Sequence, residues 1–297
     1  MRAVLGFWAL GAGVVCLSRG LARRRGAPPA APRWLVRAPG FGAAAAAGAL
    51  LTVLLQSSSL VVIGLMTLAD AGSLPIGTAW AAVAGANVGT ALVPELLAWR
   101  PPAAAYVLAA AGALALALGP RTRRAAWVVA GALGLYLGLE LLGGASRGVV
   151  PAVWPTGGWA AYGAGVVSTA ALFSSAVTVA VAARLARDGT IPLAAALAFV
   201  LGANVGTTAD VVAASLACRR RGRLVAGWHL ACNGIASLVC LPWVGALAGW
   251  AGRAGLPAGP AVGHFHLAFN LAMALAALPA AAAGARRAEA WAPPRAR

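Results

Sequence analysis

The chain has 297 residues, 61% of them hydrophobic and only 10% charged, with a mean hydropathy of +0.84. A soluble domain carries about 25% charged residues, so this composition excludes an ordinary cytosolic enzyme. The 23 basic residues are all arginine, against six acids (Asp70, Glu95, Glu140, Asp188, Asp210 and Glu289), for a net charge of +17. In a soluble protein that surplus would suggest nucleic acid. Here the arginines separate apolar runs, as in a polytopic membrane protein, so membrane lipid and not nucleic acid is the expected environment.

The first apolar run, 3–18, precedes Arg19, Arg23, Arg24 and Arg25. A signal peptide carries its charge before the apolar run. The reversed order predicts a retained helix with its N-terminus outside. Further segments long enough for a bilayer, about 20 residues each, follow in order. Repeat 1, residues 1–119, contains that helix, a segment at 41–69, another at 76–98 and a helix at 103–119. Repeat 2, residues 120–250, contains a helix at 125–142, segments at 158–183 and 190–217, and a helix at 224–250. Residues 251–297 supply a final transmembrane helix at 262–283 and a basic tail. Cys16, Cys218, Cys232 and Cys240 show neither metal spacing nor a secreted-scaffold pattern, and read as small apolar residues.

Segments 41–69 and 158–183 carry polar residues at their centres, Gln56-Ser57-Ser58-Ser59 and Ser174-Ser175. Arms of about 10–15 residues at about 1.5 Å per residue reach roughly halfway through a 30 Å core. Each segment therefore predicts a re-entrant helical hairpin with its tip near the midplane. Such backbone is tolerated there only under a cover of protein or a wet cavity.

The chain also repeats. Gln56 to Thr90 matches Phe173 to Thr207 at a constant offset of 117, and Pro75 matches Pro192 at the same offset. An upstream pair, Leu5-Gly6 to Gly20 and Leu133-Gly134 to Gly148, matches at 128. If both hairpins enter and leave on one side, 17 arginines fall inside and six outside, and the two units are inverted. Fully crossing hairpins give parallel units and a count of 16 to seven. Inverted repeats with broken helices at the midplane are a secondary-transporter design.

Gly85-Ala-Asn-Val-Gly-Thr90 and Gly202-Ala-Asn-Val-Gly-Thr207 each place two glycines and an asparagine within one apolar span. Those residues weaken a helix, so each stretch is expected to unwind and offer carbonyl oxygens. Asn87, Gly89, Thr90, Asn204, Gly206, Thr207, Thr208 and Asp210 are the candidate sodium site. The competing reading is a small-residue face for close helix packing. Gln56, Ser57, Ser58, Ser59, Ser174 and Ser175 are the candidate substrate site. Their hydroxyls, with the free N–H groups where each second arm begins, suit an oxyanion.

With these motifs in place, the chain resembles the sodium-dependent phosphate cotransporters (type II and their bacterial relatives) over about residues 3–283. In that family both repeats carry Gln-Ser-Ser-Ser followed by Gly-Ala-Asn-Ile-Gly-Thr. His229-Leu-Ala-Cys-Asn233, His266-Leu-Ala-Phe-Asn270 and the segment around Glu140 resemble further family elements. The resemblance implies one central site for phosphate and sodium. This chain departs from the pattern at Phe173 for the second Gln, Ala176 for a Ser and Ala91 for a Thr. No appended soluble regulatory domain, of the kind many bacterial relatives carry, is expected in this chain.

The expectation is an all-α polytopic protein of the cytoplasmic membrane, with seven full spans, two opposed hairpins and a cytoplasmic C-terminus. It moves inorganic phosphate with sodium as coupling ion, needs no other cofactor or metal and catalyses no reaction; a homodimer is left open. Two alternatives stand beside it: a transporter or exporter of another anion on the same scaffold, and a non-transporting membrane regulator with a degraded second site. His229 and His266, each four residues before an asparagine, read first as helix-locking pairs.

Overall fold

The computed structural model describes residues 40–55, 57–98 (side chains to 92), 155–172 and 174–292, and single positions at 35, 110–112, 114, 119, 126 and 130. The span expected at 3–18, nearly all of those at 103–119 and 125–142, and Gln56, Phe173 and Glu140 lie outside the described residues. Residues 28–95 and 154–297 cluster as one compact unit, and residues 1–27 and 96–153 as another.

Every regular element among the described residues is helical. In the first repeat these are α1 (Phe41–Leu55), α2 (Ser58–Asp70) and α3 (Ile76–Ala98). The second has α4 (Gly158–Leu172), α5 (Ser175–Arg187), α6 (Leu193–Gly206) and the short α7 (Ala209–Ser215). There follow α8 (Arg220–Cys240), a 3-10 turn at Leu241–Trp243, α9 (Val244–Arg253) and α10 (Ala258–Trp291). Three stretches, Leu193–Ser215, Arg220–Arg253 and Ala258–Trp291, are long and apolar enough to cross a membrane. Exposed Leu60, Ile235, Val239, Leu271 and Leu275 give the unit an apolar surface that water would not favour.

The arms of the two serine-bearing segments are short. At 15 and 13 residues in each repeat, they measure about 22 and 20 Å, less than the roughly 30 Å of a bilayer core. α1 runs parallel to α3, since a Cβ placed on Gly77 would meet Phe41, one on Gly85 would meet Ala45, and one on Gly89 would meet Thr52. The end of α2 joins the start of α3 through residues 71–75, where Gly72 takes a positive φ of 68°. Both ends of the α1–α2 pair therefore lie beside the start of α3, and the pair folds back on itself.

The same contacts recur 117 residues later. Gly48 meets Ala82 and Gly165 meets Phe199; Gly85 meets Ala45 and Gly202 meets Tyr162; Gly89 meets Thr52 and Gly206 meets Thr169. In each pair a Cβ on the glycine would fall between 1.7 and 2.9 Å from the facing residue. Gly189 repeats the turn of Gly72 with φ 69°.

These glycines overturn the expected unwinding. α3 is continuous through Gly85–Thr90, and α6 stays helical to Gly206, breaking only at Thr207-Thr208. Glycine weakens a helix by exposing its backbone and freeing the chain. Here each glycine is pressed against another helix in apolar surroundings, where every N–H needs an internal partner, so helix wins.

At one end, Asp70 accepts bonds from the N–H groups of Arg219 (2.7 Å) and Gly222 (2.5 Å), capping α8. The buried Arg221 donates to the carbonyls of Ala69 (2.8 Å), Leu74 (3.3 Å) and Ala292 (2.7 Å), and pairs with Glu289 at 2.6 Å. Glu289 in turn accepts the N–H of Ile76 at 2.5 Å. The first fold-back thus ends against the start of α8 and the end of α10. Gly259, at the other end of α10, lies against Ala183 and Arg187, where the second fold-back ends. Some 30 residues of helix separate Gly259 from Glu289, about 45 Å. Beside Asp70, burial and then the carboxylate hold the Cys218 thiol above its ordinary pKa. Trp80 and Trp228 stack at 4.6 Å and exchange indole bonds with backbone carbonyls, fixing α3 to α8.

Candidate functional site

The break in each fold-back follows from local chemistry. Ser57 is extended (φ −153°, ψ 106°), and its hydroxyl accepts the N–H of Leu60 at 3.2 Å, starting α2. Ser174, 117 residues on, does the same for Val177 at 3.4 Å (φ −148°, ψ 101°), starting α5. A serine N-cap contributes about 1 kcal/mol. Each cap satisfies one N–H of its helix and leaves those of Ser58 and Ser59, and of Ser175 and Ala176, without a bond to any described residue. Ser58 and Ser175 are each only 5% exposed, and neither hydroxyl has a hydrogen-bond partner among the described residues. Ser59 is partly buried. Each bend therefore presents serine hydroxyls and free N–H groups at the positive end of a helix.

The glycine motifs stand behind the bends and point two ways. Gly85 and Gly89 face α1, while Asn87, half a turn around, faces α8. The Asn87 Oδ1 lies 3.0 Å from Nε2 of His229. In the second repeat the Asn204 Oδ1 lies 3.3 Å from Nε2 of His266 and 3.2 Å from Nδ2 of Asn270. Asn204 Nδ2 donates to Val200 at 3.0 Å. Because an amide oxygen only accepts, both imidazoles donate through Nε2, leaving Nδ1 as an acceptor. All five side chains are at most 3% exposed. Cross-helix bonds of this kind contribute about 0.6 kcal/mol each, up to about 1.7.

The other candidates are engaged locally. Thr90 donates to Ala86 (3.1 Å) and Thr208 to Val205 (2.7 Å), each within its own helical turn. Thr207 is buried at the break after α6. Asp210 accepts the N–H of Val211 at 2.7 Å, and no described contact joins it to Asn204. Among the described residues no hydrogen bond joins the first serine bend to the second. There too, no three His, Cys, Asp or Glu side chains group where a metal could bind.

Sequence reasoning missed Thr52 and Thr169, and took Asn233 and Asn270 only as halves of helix-locking pairs. Thr52 and Thr169 sit one turn before the bends, against Gly89 and Gly206, and their buried hydroxyls have no partner. The Asn233 and Asn270 oxygens and both His Nδ1 atoms are likewise buried without one, as is the Asn87 Nδ2. An orphaned buried polar atom costs about 1–3 kcal/mol, so this clustering marks a candidate site. The signal in the sequence was the 37-residue offset between the two His-x-x-x-Asn elements.

Comparison with known proteins places the chain in a family. The family described as Na+/Pi-cotransporter matches residues 32–144 and 152–239. A Bacillus subtilis protein of undescribed role, YqeW, is 27% identical over 243 residues, covering 77% of each chain. Several relatives are named "Putative inorganic phosphate export protein YjbB". The one from Escherichia coli O157:H7 is 30% identical over 248 residues (78% of this chain, 45% of the relative). The one from Salmonella typhimurium is 30% identical over 255 residues (81% and 46%). The chain thus spans about half the length of these export proteins. No solved structure matches it significantly. With the family matched over both repeats, the chain belongs to the Na+/Pi-cotransporter family.

Proposed function

We propose that the protein is a secondary transporter that moves inorganic phosphate across the cytoplasmic membrane in symport with sodium. One observation carries the reading: two serine-capped bends, 117 residues apart, each with a largely buried serine at the start of a helix whose hydroxyl makes no hydrogen bond to a described residue. The ionised oxygens of phosphate accept hydrogen bonds, and such donors at a helix N-terminus match them in sign and geometry. Gln56, Ser57, Ser58, Ser59, Ser174 and Ser175 bind the anion. Oxygens around Asn87, Thr90, Asn204, Thr207, Thr208 and Asp210 serve sodium, with Gly89 and Gly206 admitting the neighbouring helix.

In this reading the fold-backs are re-entrant hairpins and the repeats are inverted, within a seven-span protein. The contacts of α10 support inversion, because the first fold-back ends beside Glu289 and the second beside Gly259. The C-terminus, with Arg219 to Arg223 and Arg286 to Arg287, then lies on the cytoplasmic side. Alternating access moves the hairpins against α8 and α10.

A second reading, export of phosphate or carriage of another anion, draws on the names of the longer relatives and on Phe173 in place of the family's glutamine. The test is flux of labelled phosphate in proteoliposomes, with the sodium gradient imposed in either direction and sulfate as competitor. Flux that follows the sodium gradient and resists sulfate supports symport. Flux indifferent to sodium, or sulfate-competed, supports the second reading. Absence of flux with any anion rejects both.

A further inference from the structure

We propose that Asn233 on α8 and Asn270 on α10 are direct oxygen ligands of the coupling cations, one in each half. The proposal rests on the cation-coupled reading above and names ligands that reading lacks. Asn233 Nδ2 donates to the His229 carbonyl at 2.9 Å, and Asn270 Nδ2 donates to the His266 carbonyl at the same distance. These bonds fix which end of each amide is the nitrogen. Each Oδ1 is therefore aimed away from its own helix turn, and both are buried without a partner in residues that are 0% exposed.

The chemistry of the surroundings selects the guest. His229 and His266 spend their only proton on Nε2, toward Asn87 and Asn204. Their Nδ1 atoms are bare lone pairs, also unpartnered. Each helical turn thus presents two acceptors, an amide oxygen and an imidazole nitrogen, and no donor. An anion is repelled by such a pair. A hard cation takes the amide oxygen, while a water carried by the ion donates to Nδ1. Asn204, by contrast, has its oxygen taken by two donors and its nitrogen by Val200. It acts as a positioning residue for Asn270. The first half differs: Asn233 has no bond to Asn87, and the Asn87 nitrogen is itself unpartnered. The second set is the more rigid, so Asn270 is the stronger ligand.

The arrangement is carried by two elements on different helices, related by the same 37-residue offset that brings Gly222 and Gly259 to the ends of the two fold-backs. A feature serving only helix packing has no need to leave the oxygen unpaired on both occasions.

The test uses purified full-length protein in proteoliposomes. Two quantities are read: the sodium concentration giving half-maximal phosphate flux, and the thermal stabilisation by sodium chloride over choline chloride without phosphate. Asn270→Leu and Asn233→Leu, which remove the oxygen at similar volume, raise half-activating sodium at least tenfold, Asn270→Leu more. Each also reduces the sodium-dependent stabilisation. Asn270→Asp and Asn233→Asp, which keep an oxygen, retain sodium dependence. If a Leu variant does not fold, Asn→Ser at the same site gives the same expected loss. Sodium-dependent wild-type flux with Leu or Ser variants within twofold of it overturns the assignment, leaving these oxygens to water alone. Phosphate flux in the wild type with no sodium effect on rate or stability overturns the cation-coupled reading itself, and the assignment with it.

Discussion

Replacing Gly85 by alanine tests the packing that replaced the expected unwinding. A Cβ at that position falls 1.7 Å from the Ala45 carbonyl oxygen and 2.4 Å from its carbon. An ordinary carbon–oxygen approach is about 3.3 Å, so α1 and α3 must part by roughly 1.6 Å. The obstacle is backbone, which cannot rotate away. Overpacking of this kind costs about 1–3 kcal/mol, while alanine's helix preference returns about 1 kcal/mol. A net loss of about 1–2 kcal/mol, toward the upper end because the obstacle is backbone, corresponds to a fall of about 2–8 °C in unfolding temperature for a chain of this size. Gly64→Ala is the matched control, because Gly64 lies on α2 with nothing within 4 Å, and should gain slightly. Gly202→Ala, 1.9 Å from the Tyr162 oxygen, should lose as much as Gly85→Ala. The measurement is thermal unfolding in detergent, followed by circular dichroism. If Gly85→Ala unfolds with Gly64→Ala at or above the wild-type temperature, the close-packed α1–α3 contact is wrong.

Other outcomes follow from the same geometry. Arg221→Met strands the Glu289 carboxylate and three carbonyls. Breaking a buried pair on one side costs about 3–5 kcal/mol, at the lower end here because Glu289 is partly exposed, and the companion change Glu289→Gln should recover part of the loss in a denaturation series. Ser57→Ala and Ser174→Ala each remove a cap, about 1 kcal/mol of stability, while Ser→Asp preserves the cap but blocks anion flux by charge. The Cys218 thiol is held above its ordinary pKa by burial and by Asp70. Its alkylation rate therefore keeps rising past the pH at which a free thiol has levelled off. Asp70→Asn removes the charge that disfavours the thiolate, shifts that rise to lower pH and speeds labelling at pH 8.

Much of the arrangement was legible in the sequence because it depends on local chemistry. Serine after an apolar arm starts a new helix, and α2 and α5 indeed begin directly after Ser57 and Ser174. The apolar runs at 224–250 and 262–283 mark α8–α9 and α10, each longer by several residues because arginines and prolines are absorbed into the helix ends. The Gly-Ala-Asn-Val-Gly-Thr stretches were misleading, since propensity describes a helix alone and these are clamped by a neighbour. The 190–217 segment does break, but at Thr207-Thr208, after the glycines. Nothing local announces that Asn87 meets His229 across 142 positions, or that Arg221 reaches Glu289. Those pairings come from how the helices are packed, and a buried histidine has the same neighbours in sequence whether or not it faces an asparagine.

The central claim is that hydroxyls from both halves hold one phosphate, and a double-mutant cycle on Ser58 and Ser175 tests it most directly. A hydrogen bond to a charged group contributes about 1.5–3 kcal/mol, so Ser58→Ala and Ser175→Ala should each weaken phosphate binding by about 10- to 150-fold. In the double variant the free-energy losses should fail to add, as they do for neighbours on one ligand. Losses that add to within experimental error, or a Ser175→Ala variant with wild-type phosphate affinity, would mean that the two bends do not share a substrate.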